Sequence, residues 1–127
     1  MLDTCNVITF AATKDVEAAR KFYEHTLGLQ FVLDEPFALI FDANGIMLRL
    51  SKVQEHTPPR YTVLGWQIPK IDEAVEKLSL NGVKFENYDG LEQDDLGICT
   101  FPNGDRVAWF NDPDGNTLSI TQFNPEI

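Results

Sequence analysis

The strongest constraint on the fold is that one pattern of a strand, a helix and several strands occurs twice along the chain. In the first half, a β-branched run over 5–11 predicts a strand, and apolar residues at helical spacing from Val16 to Leu27 predict a helix. Thr13 is the predicted N-cap of that helix, and Gly28 is predicted to end it. Three strands are then predicted over 29–33, 37–41 and 46–50.

The same order of elements restarts after a polar segment over 54–60, which contains two consecutive prolines and suits a linker. A strand predicted over 61–68 is followed by an apolar stripe that predicts a helix from Ile71 to Leu78. Gly82 is predicted to end this helix as a glycine ends the first one. The strands predicted for the rest of this half cover 83–88, 98–101, 106–110 and 117–123.

The duplication predicts the architecture. Aligning the two helices gives an offset of about 55 residues, whereas aligning Arg49 with Ser119 in the last strands gives about 70, so the second half contains an insertion of about 15 residues within 89–104. One half cannot cover its own sheet, but two halves can cover each other. The predicted fold is therefore α+β, with two βαβββ repeats forming an incomplete curved barrel around a concave cleft. The predicted boundaries are one domain over 1–127, with repeats at about 4–53 and 61–123 and a linker at 54–60.

Composition argues against several classes of partner. Twenty acidic and ten basic residues give a net charge of −10, which disfavours binding to nucleic acid or to an anionic membrane and favours solubility or a cationic ligand. No secretion signal and no apolar stretch of membrane-spanning length is present, so a cytoplasmic protein is expected. Two distant cysteines without a Cys/His cluster argue against a structural zinc site.

Three motifs carry a resemblance to a known superfamily. They are Asp15-Val16 leading to Phe22-Tyr23 and Leu27-Gly28-Leu29, then 71–75 leading to Asn81-Gly82-Val83, and finally 109–116 followed by Leu118-Ser119-Ile120. The chain resembles the vicinal oxygen chelate superfamily of glyoxalases, bleomycin-resistance proteins and extradiol dioxygenases. The Asp-Pro-Asp-Gly-Asn sequence within 112–116 is the most specific match, and it is expected to form a hairpin turn rather than to perform chemistry.

The resemblance also implies where a metal would be bound. Metalloenzymes of this superfamily place His, Glu or Gln ligands on cavity-facing strand positions, which correspond here to Ile8, Arg49, Val63 and Ser119. Ile8 and Val63 have no donor atoms, Arg49 repels a cation, and a lone serine cannot hold a divalent ion. We therefore expect no metal and no cofactor, and a metal-free member similar to bleomycin-resistance proteins.

Strand alternation predicts a mainly apolar ligand-binding face, and it assigns Leu64, Trp66, Ile68, Leu118 and Ile120 to the opposite side, under the helices. The predicted ligand-binding residues on it are Arg49, Phe10, Ile8, Val63, Gln67, Ser119 and Thr121. Trp109 and Phe101 are expected to line the mouth, and the acidic insertion over 89–97 is either a lid or a solvated loop. Arg49 either pairs with a ligand carboxylate or ring, or forms a salt bridge with one of the many acids. Catalytic residues are not identifiable, because His25 and His56 are expected to be a surface residue and a linker residue.

These features leave three functions open. The leading hypothesis is a metal-free binding protein for a small aromatic or cationic ligand, with antibiotic or metabolite sequestration as its purpose and, as the resemblance implies, a homodimer. The alternatives are a divergent lyase or dioxygenase and a non-catalytic interaction module whose cavity is filled by its own side chains. The fold cannot choose among them, because function depends on the site.

Overall fold

The computed structural model describes residues 1–125; the last two residues of the predicted domain lie outside the described part. After a short 3₁₀ turn at Leu2–Thr4, the first half contains β1 (Ile8–Thr13), α1 (Val16–Lys21), a π-helical extension (Phe22–Thr26), β2 (Gln30–Asp34), β3 (Ala38–Ala43) and β4 (Ile46–Lys52). The second half contains β5 (Thr62–Gln67), α2 (Ile71–Leu80), β6 (Cys99–Thr100), β7 (Arg106–Asn111) and β8 (Thr117–Gln122). No helix within the described residues is long and apolar enough to cross a membrane.

The strands form two four-stranded sheets with the same topology. The first sheet has the order β1-β4-β3-β2 and the second has the order β5-β8-β7-β6. In each sheet the first strand pairs in parallel with the last strand, and the other pairs are antiparallel. The parallel pair requires a crossover, which is where the helix of each half lies. The α+β class with two helices and two open sheets is confirmed, and neither sheet closes into a barrel.

Two local predictions are wrong. The N-cap of α1 is Asp15, whose carboxylate accepts a hydrogen bond from the Ala18 N–H, while Thr13 accepts one from the Asp15 N–H instead. The strand predicted over 83–88 is reduced to one bridge between Phe85 and Phe110. The Gln93 side chain accepts a hydrogen bond from the N–H of Tyr88 and donates one to the carbonyl of Glu86. These backbone groups therefore bond to a side chain instead of to a neighbouring strand.

One hydrophobic core joins the two halves. The π-helical extension contributes Tyr23, whose ring centroid lies 5.7 Å from that of Phe41 in the first sheet. Its neighbour Phe22 lies 6.4 Å from Phe110 in the second sheet. The apolar residues of β5 and β8 that the alternation assigns to the helix side do lie in this core or against it: Leu64, Trp66, Ile68, Leu118 and Ile120. Each half therefore covers the other, as the duplication predicts.

A buried polar network at the β7–β8 turn also connects the halves. Asp112 is 6% exposed, and its carboxylate accepts hydrogen bonds from the Tyr23 hydroxyl (2.6 Å), the Asn116 amide (2.8 Å) and two backbone N–H groups of the turn. The Asn116 amide also donates to the carbonyl of Ala12 at the end of β1 (2.9 Å). The predicted hairpin turn is thus present, and its hydrogen bonds also connect the π-helical extension and β1 to the second sheet.

The ionisation of Tyr23 gives a testable consequence of this network. Burial, together with the negative charge of Asp112, raises the pKa of Tyr23 far above its ordinary value. In the unfolded chain the Tyr23 hydroxyl loses its proton near pH 10. The contribution of the protonated Tyr23 to the free energy of unfolding is therefore complete below about pH 10, and it falls by about 1.4 kcal/mol per pH unit above that pH. We expect tyrosinate absorbance in the folded protein to report no ionisation of Tyr23, and denaturant titrations to show a shallower alkaline loss of stability in Tyr23→Phe. Full ionisation of all three tyrosines with native circular dichroism would contradict this.

Candidate functional site

Each sheet has an outer face that points away from the shared core. On the first sheet, Ile8 pairs in register with Met47, and Phe10 pairs with Arg49. Ile8, Phe10 and Met47 are 46%, 57% and 41% exposed. Leu48 and Leu50, the residues on either side of Arg49, point to the opposite face and are buried. The strand alternation therefore brings the predicted residues Ile8, Phe10 and Arg49 together, on a largely apolar surface.

Arg49 is held by an acidic side chain of its own chain. Its guanidinium donates a hydrogen bond to the Glu35 carboxylate at 3.0 Å, and both side chains are about one quarter to one third exposed. Of the two roles open to Arg49, the structure shows the internal salt bridge. A ligand carboxylate at this position would have to displace Glu35 or share the guanidinium with it.

The outer face of the second sheet carries an aromatic cluster. Trp109 of β7 lies opposite Ser119 of β8, and Tyr88 and Phe101 pack edge-on against its ring at centroid distances of 5.7 and 6.4 Å. We call these three rings the Trp109 cluster. Burial and the nearby charge of Glu86 raise the pKa of Tyr88 above its ordinary value. Edge-on packing leaves aromatic surface to which a flat ligand can stack.

Gln67, Ser119 and Thr121 are also predicted ligand residues of the second sheet, and they differ in how far they are exposed. Gln67 and Thr121 are neighbours in register on the outer face, next to Gly65 and Ser119. Ser119 is only 6% exposed, and its hydroxyl oxygen would lie 3.0 Å from any Cβ added at Gly65. Without a side chain at Gly65, the serine is accommodated tightly between β5 and Trp109.

The placement of Val63 on the ligand face is wrong. A register shift between Thr62 and Leu64 places Val63 in a β-bulge of β5. Its side chain packs against the hydrophobic core together with Leu64. A bulge adds one residue to one strand, so the alternation that assigned Val63 to the outer face no longer holds there.

Tyr88 is the site residue that sequence reasoning missed, and the insertion explains its position. Gln93 accepts from the Tyr88 N–H at 2.8 Å and donates to the carbonyls of Glu86 and Gly97 at 2.9 and 2.7 Å. Asp94 accepts from the N–H of Ile98 at 2.9 Å. The segment over 86–98 is therefore cross-linked by its own side chains, and it holds Tyr88 against Trp109. The only signal was an aromatic residue beside the predicted insertion.

The residues present do not fit a divalent metal ion. The four positions that hold ligands in metalloenzymes of the resembling superfamily carry an isoleucine, a paired arginine, a core valine and a buried serine. Within residues 1–125, no group of three or more His, Cys, Asp or Glu side chains is arranged to hold a metal ion. The donor chemistry that such an ion needs is thus missing from the place where the fold would supply it.

Neither histidine lies on an outer face with other candidate residues. His25 has a 72% exposed side chain near Glu24, as expected for a surface residue. His56 of the connecting segment lies 2.7 Å from the Asn116 side-chain oxygen. Since the Asn116 amide nitrogen already donates to Ala12 and Asp112, its oxygen accepts, and the His56 ring nitrogen is the donor. His56 therefore anchors the connecting segment to the β7–β8 turn.

The two sheets meet at β1 and β5 without pairing, and a groove of about 630 Å³ follows part of this junction. Thr9 and Ile46 contribute from the first sheet, and Gly65 and Gln67 contribute from the second. Of the predicted ligand residues, Gln67 lies on this wall. Two open sheets, each with a crossover helix, define the class of protein: an α+β fold built from two paired repeats.

A family model confirms this class at the level of sequence. The model described as the Glyoxalase/Bleomycin resistance protein/Dioxygenase superfamily matches residues 4–120, and the chain belongs to this superfamily. The predicted resemblance is thereby confirmed at the level of the superfamily. No curated protein matches the chain significantly.

Solved structures show the same fold at low identity. A lactoylglutathione lyase from Agrobacterium tumefaciens is 20% identical, with a TM-score of 0.71 and 93% of each chain covered. A glyoxalase/bleomycin resistance protein/dioxygenase from Nocardioides is 21% identical, with a TM-score of 0.70, 96% of this chain and 86% of that chain covered. A member of the same superfamily from Sphaerobacter thermophilus DSM 20745 is 25% identical, with a TM-score of 0.68 and coverages of 92% and 97%.

Proposed function

We propose that this chain is a metal-free, cytoplasmic binding protein for a small aromatic or cationic molecule, similar in role to bleomycin-resistance proteins. The observation that carries the proposal is that Ile8, Arg49 and Ser119 stand at positions where metalloenzymes of the superfamily place ligands. Val63, the fourth expected position, packs against the core and has no donor atom. The metal-dependent reactions of the superfamily require side chains that hold a metal ion, whereas binding of a small molecule does not require them. The whole chain, 1–127, is taken to act as one domain made of two repeats.

The Trp109 cluster supports an aromatic ligand. Its rings stand on the outer face of the second sheet, where Phe101 and Tyr88 are 37% and 40% exposed. A planar ligand stacked there gains apolar contact, and a cationic one is also attracted to the ring faces. The net charge of −10 raises the local concentration of cations and so favours the same ligand class.

A homodimer is part of the proposal. The outer face of the first sheet leaves Ile8, Phe10, Val32, Leu33 and Met47 between 41% and 57% exposed. Contiguous apolar surface of this kind is unusual on a monomer and commonly marks an interaction site. A second copy that covers this face removes it from water and can bring its own Trp109 cluster towards Phe10, which would enclose a ligand between two chains.

Ligand binding gives the direct test. We expect bleomycin or the planar cation proflavine to raise the melting temperature, as any ligand of the native state does. Trp109→Ala should weaken binding about tenfold, because one stacked aromatic contact contributes about 1–1.5 kcal/mol. Trp109→Phe should retain most of the affinity, and Leu80→Ala, at a residue 88% exposed on α2, should retain all of it. Isothermal titration calorimetry with Tyr88→Ala checks the cluster with a second variant.

The same samples test the rest of the proposal. Metal analysis, together with thermal shifts in Ni²⁺, Zn²⁺, Mn²⁺ and Fe²⁺, should show no stoichiometric metal, and sedimentation should show a dimer. A metal ion held by protein atoms on an outer face would overturn the binding hypothesis in favour of an enzyme. An absence of any shift across both ligand types and wider metabolite panels would favour an interaction module.

A further inference from the structure

A second cavity lies on the helix side of the second sheet, away from both outer faces. It has a volume of about 140 Å³, and every side chain that lines it is apolar. Leu27 and Leu29 come from the segment between the π-helical extension and β2. Trp66 and Ile68 come from the end of β5, and Leu78 comes from α2. An engineered cavity of about 150 Å³ with a similar lining binds benzene, so a single aromatic ring is the size of body that fits.

This cavity is separate from the proposed ligand site. Trp66 and Ile120 line it, and both belong to the inward-facing set that packs with the hydrophobic core. Trp109, Ser119 and Thr121 point to the other side of the same sheet. A molecule in this cavity therefore lies between the end of the π-helical extension, α2 and the inner face of the second sheet, and does not contact the Trp109 cluster.

The cavity adjoins a mostly apolar groove that carries one lysine at its edge. Leu27, Ile68 and Leu78 also line an adjoining groove of about 390 Å³, which includes His25, Lys77 and Asn81. Lys77 forms no ion pair with any residue in the part of the chain that the structure describes. An apolar floor with an unpaired ammonium at its rim matches a molecule that has an apolar body and a negative group.

We propose that this cavity binds a small aromatic carboxylate, with its ring among Leu27, Trp66 and Leu78 and its carboxylate near Lys77. Apolar burial supplies most of the binding, since the ammonium is exposed and an exposed ion pair contributes little. Glu24 lies 3.5 Å from His25 of the same groove, and Glu73 lies one turn before Lys77 on α2, so nearby acids offset part of the attraction of the ammonium for an anion. The negative group therefore adjusts affinity and orientation rather than creating the site.

Methyl NMR with phenylacetate and the neutral analogue benzyl alcohol as probes tests the proposal. We expect both probes to shift the methyl signals of Leu27, Leu78 and Ile120 and to leave Ile8 and Met47 unmoved. Lys77→Gln should weaken phenylacetate about three- to fivefold and leave benzyl alcohol unchanged, because only the charged probe uses the ammonium. Lys21→Gln, at an exposed lysine of α1 outside the cavity, should change neither affinity.

Filling the cavity gives the second arm. Leu78→Phe and, separately, Leu27→Phe should abolish the shifts of both probes, whereas Leu80→Phe on the solvent side of α2 should preserve them. Shifts confined to the Trp109 side, or equal affinities in the filled and control variants, would overturn the cavity proposal and leave the outer-face site standing. If the parent protein binds phenylacetate but neither bleomycin nor proflavine, the outer-face site is overturned and the cavity proposal stands.

Discussion

Replacing Asp112 with alanine is expected to lower the free energy of unfolding by about 4 kcal/mol, because it leaves a buried hydroxyl and buried N–H groups without their acceptor. The carboxylate accepts from the Tyr23 hydroxyl at 2.6 Å and from the backbone N–H groups of Asp114 and Asn116, both at 2.9 Å. Water cannot replace it, since Asp112 is only 6% exposed and Tyr23 is fully buried. Urea denaturation with fluorescence detection measures the loss.

Two comparisons isolate the cause of this loss. Tyr23→Phe removes one donor and should cost about 1–2 kcal/mol, and the double mutant should show less than the sum of the two losses because the residues share a bond. Asp89→Ala, at an exposed acid in the insertion, should stay within about 0.5 kcal/mol of the parent. Equal and small effects of Asp112→Ala and Asp89→Ala would mean that the turn does not hold the two halves together.

Replacing Phe110 with alanine should lower the free energy of unfolding by about 3–5 kcal/mol, the usual cost of a buried phenylalanine. Phe110 is 1% exposed, and its ring lies 6.4 Å from that of Phe22, 6.5 Å from Trp66 and 5.5 Å from Phe85. It therefore joins the π-helical extension of the first half, β5, and the segment after α2. Removing its ring leaves a hole that three separate elements would have to close.

The matched control for Phe110 is an exposed phenylalanine. Phe123→Ala, at a residue 55% exposed, should change stability by about 0.5 kcal/mol or less. Phe110→Leu, which retains most of the apolar volume, should lose less than Phe110→Ala. A Phe110→Ala variant as stable as Phe123→Ala would show that the two sheets do not share one core.

The stabilising residues Asp112 and Phe110 lie in a different part of the molecule from the Trp109 cluster. Asp112 and Phe110 lie between the halves, whereas the Trp109 cluster stands on the outer face of the second sheet. Variants of the cluster are therefore expected to change ligand binding with little effect on folding. Phe110, in contrast, lines the apolar cavity next to α2, so a substitution there is expected to change both stability and binding in that cavity.

Local patterns in the sequence determined the order of the elements. Spacing of Val16 through Leu27 and of Ile71 through Leu78 predicted both helices, and alternation placed Leu118 and Ile120 in the core. Side-chain chemistry alone also predicted that no metal is bound, because Ile8 has no donor atom and Ser119 by itself cannot hold a divalent ion. These properties are local: each depends on residue type and on a period of two or 3.6 residues.

Tertiary structure decided which groups meet. A bulge turned Val63 into the core, Glu35 paired with Arg49, and the side chain of Gln93 brought Tyr88 to Trp109. The turn that the sequence marks as a hairpin became the junction of the halves through Tyr23, a residue 89 positions away. Periodicity records the face on which a side chain lies but not its partner, because a partner distant in sequence is selected only when the whole chain packs.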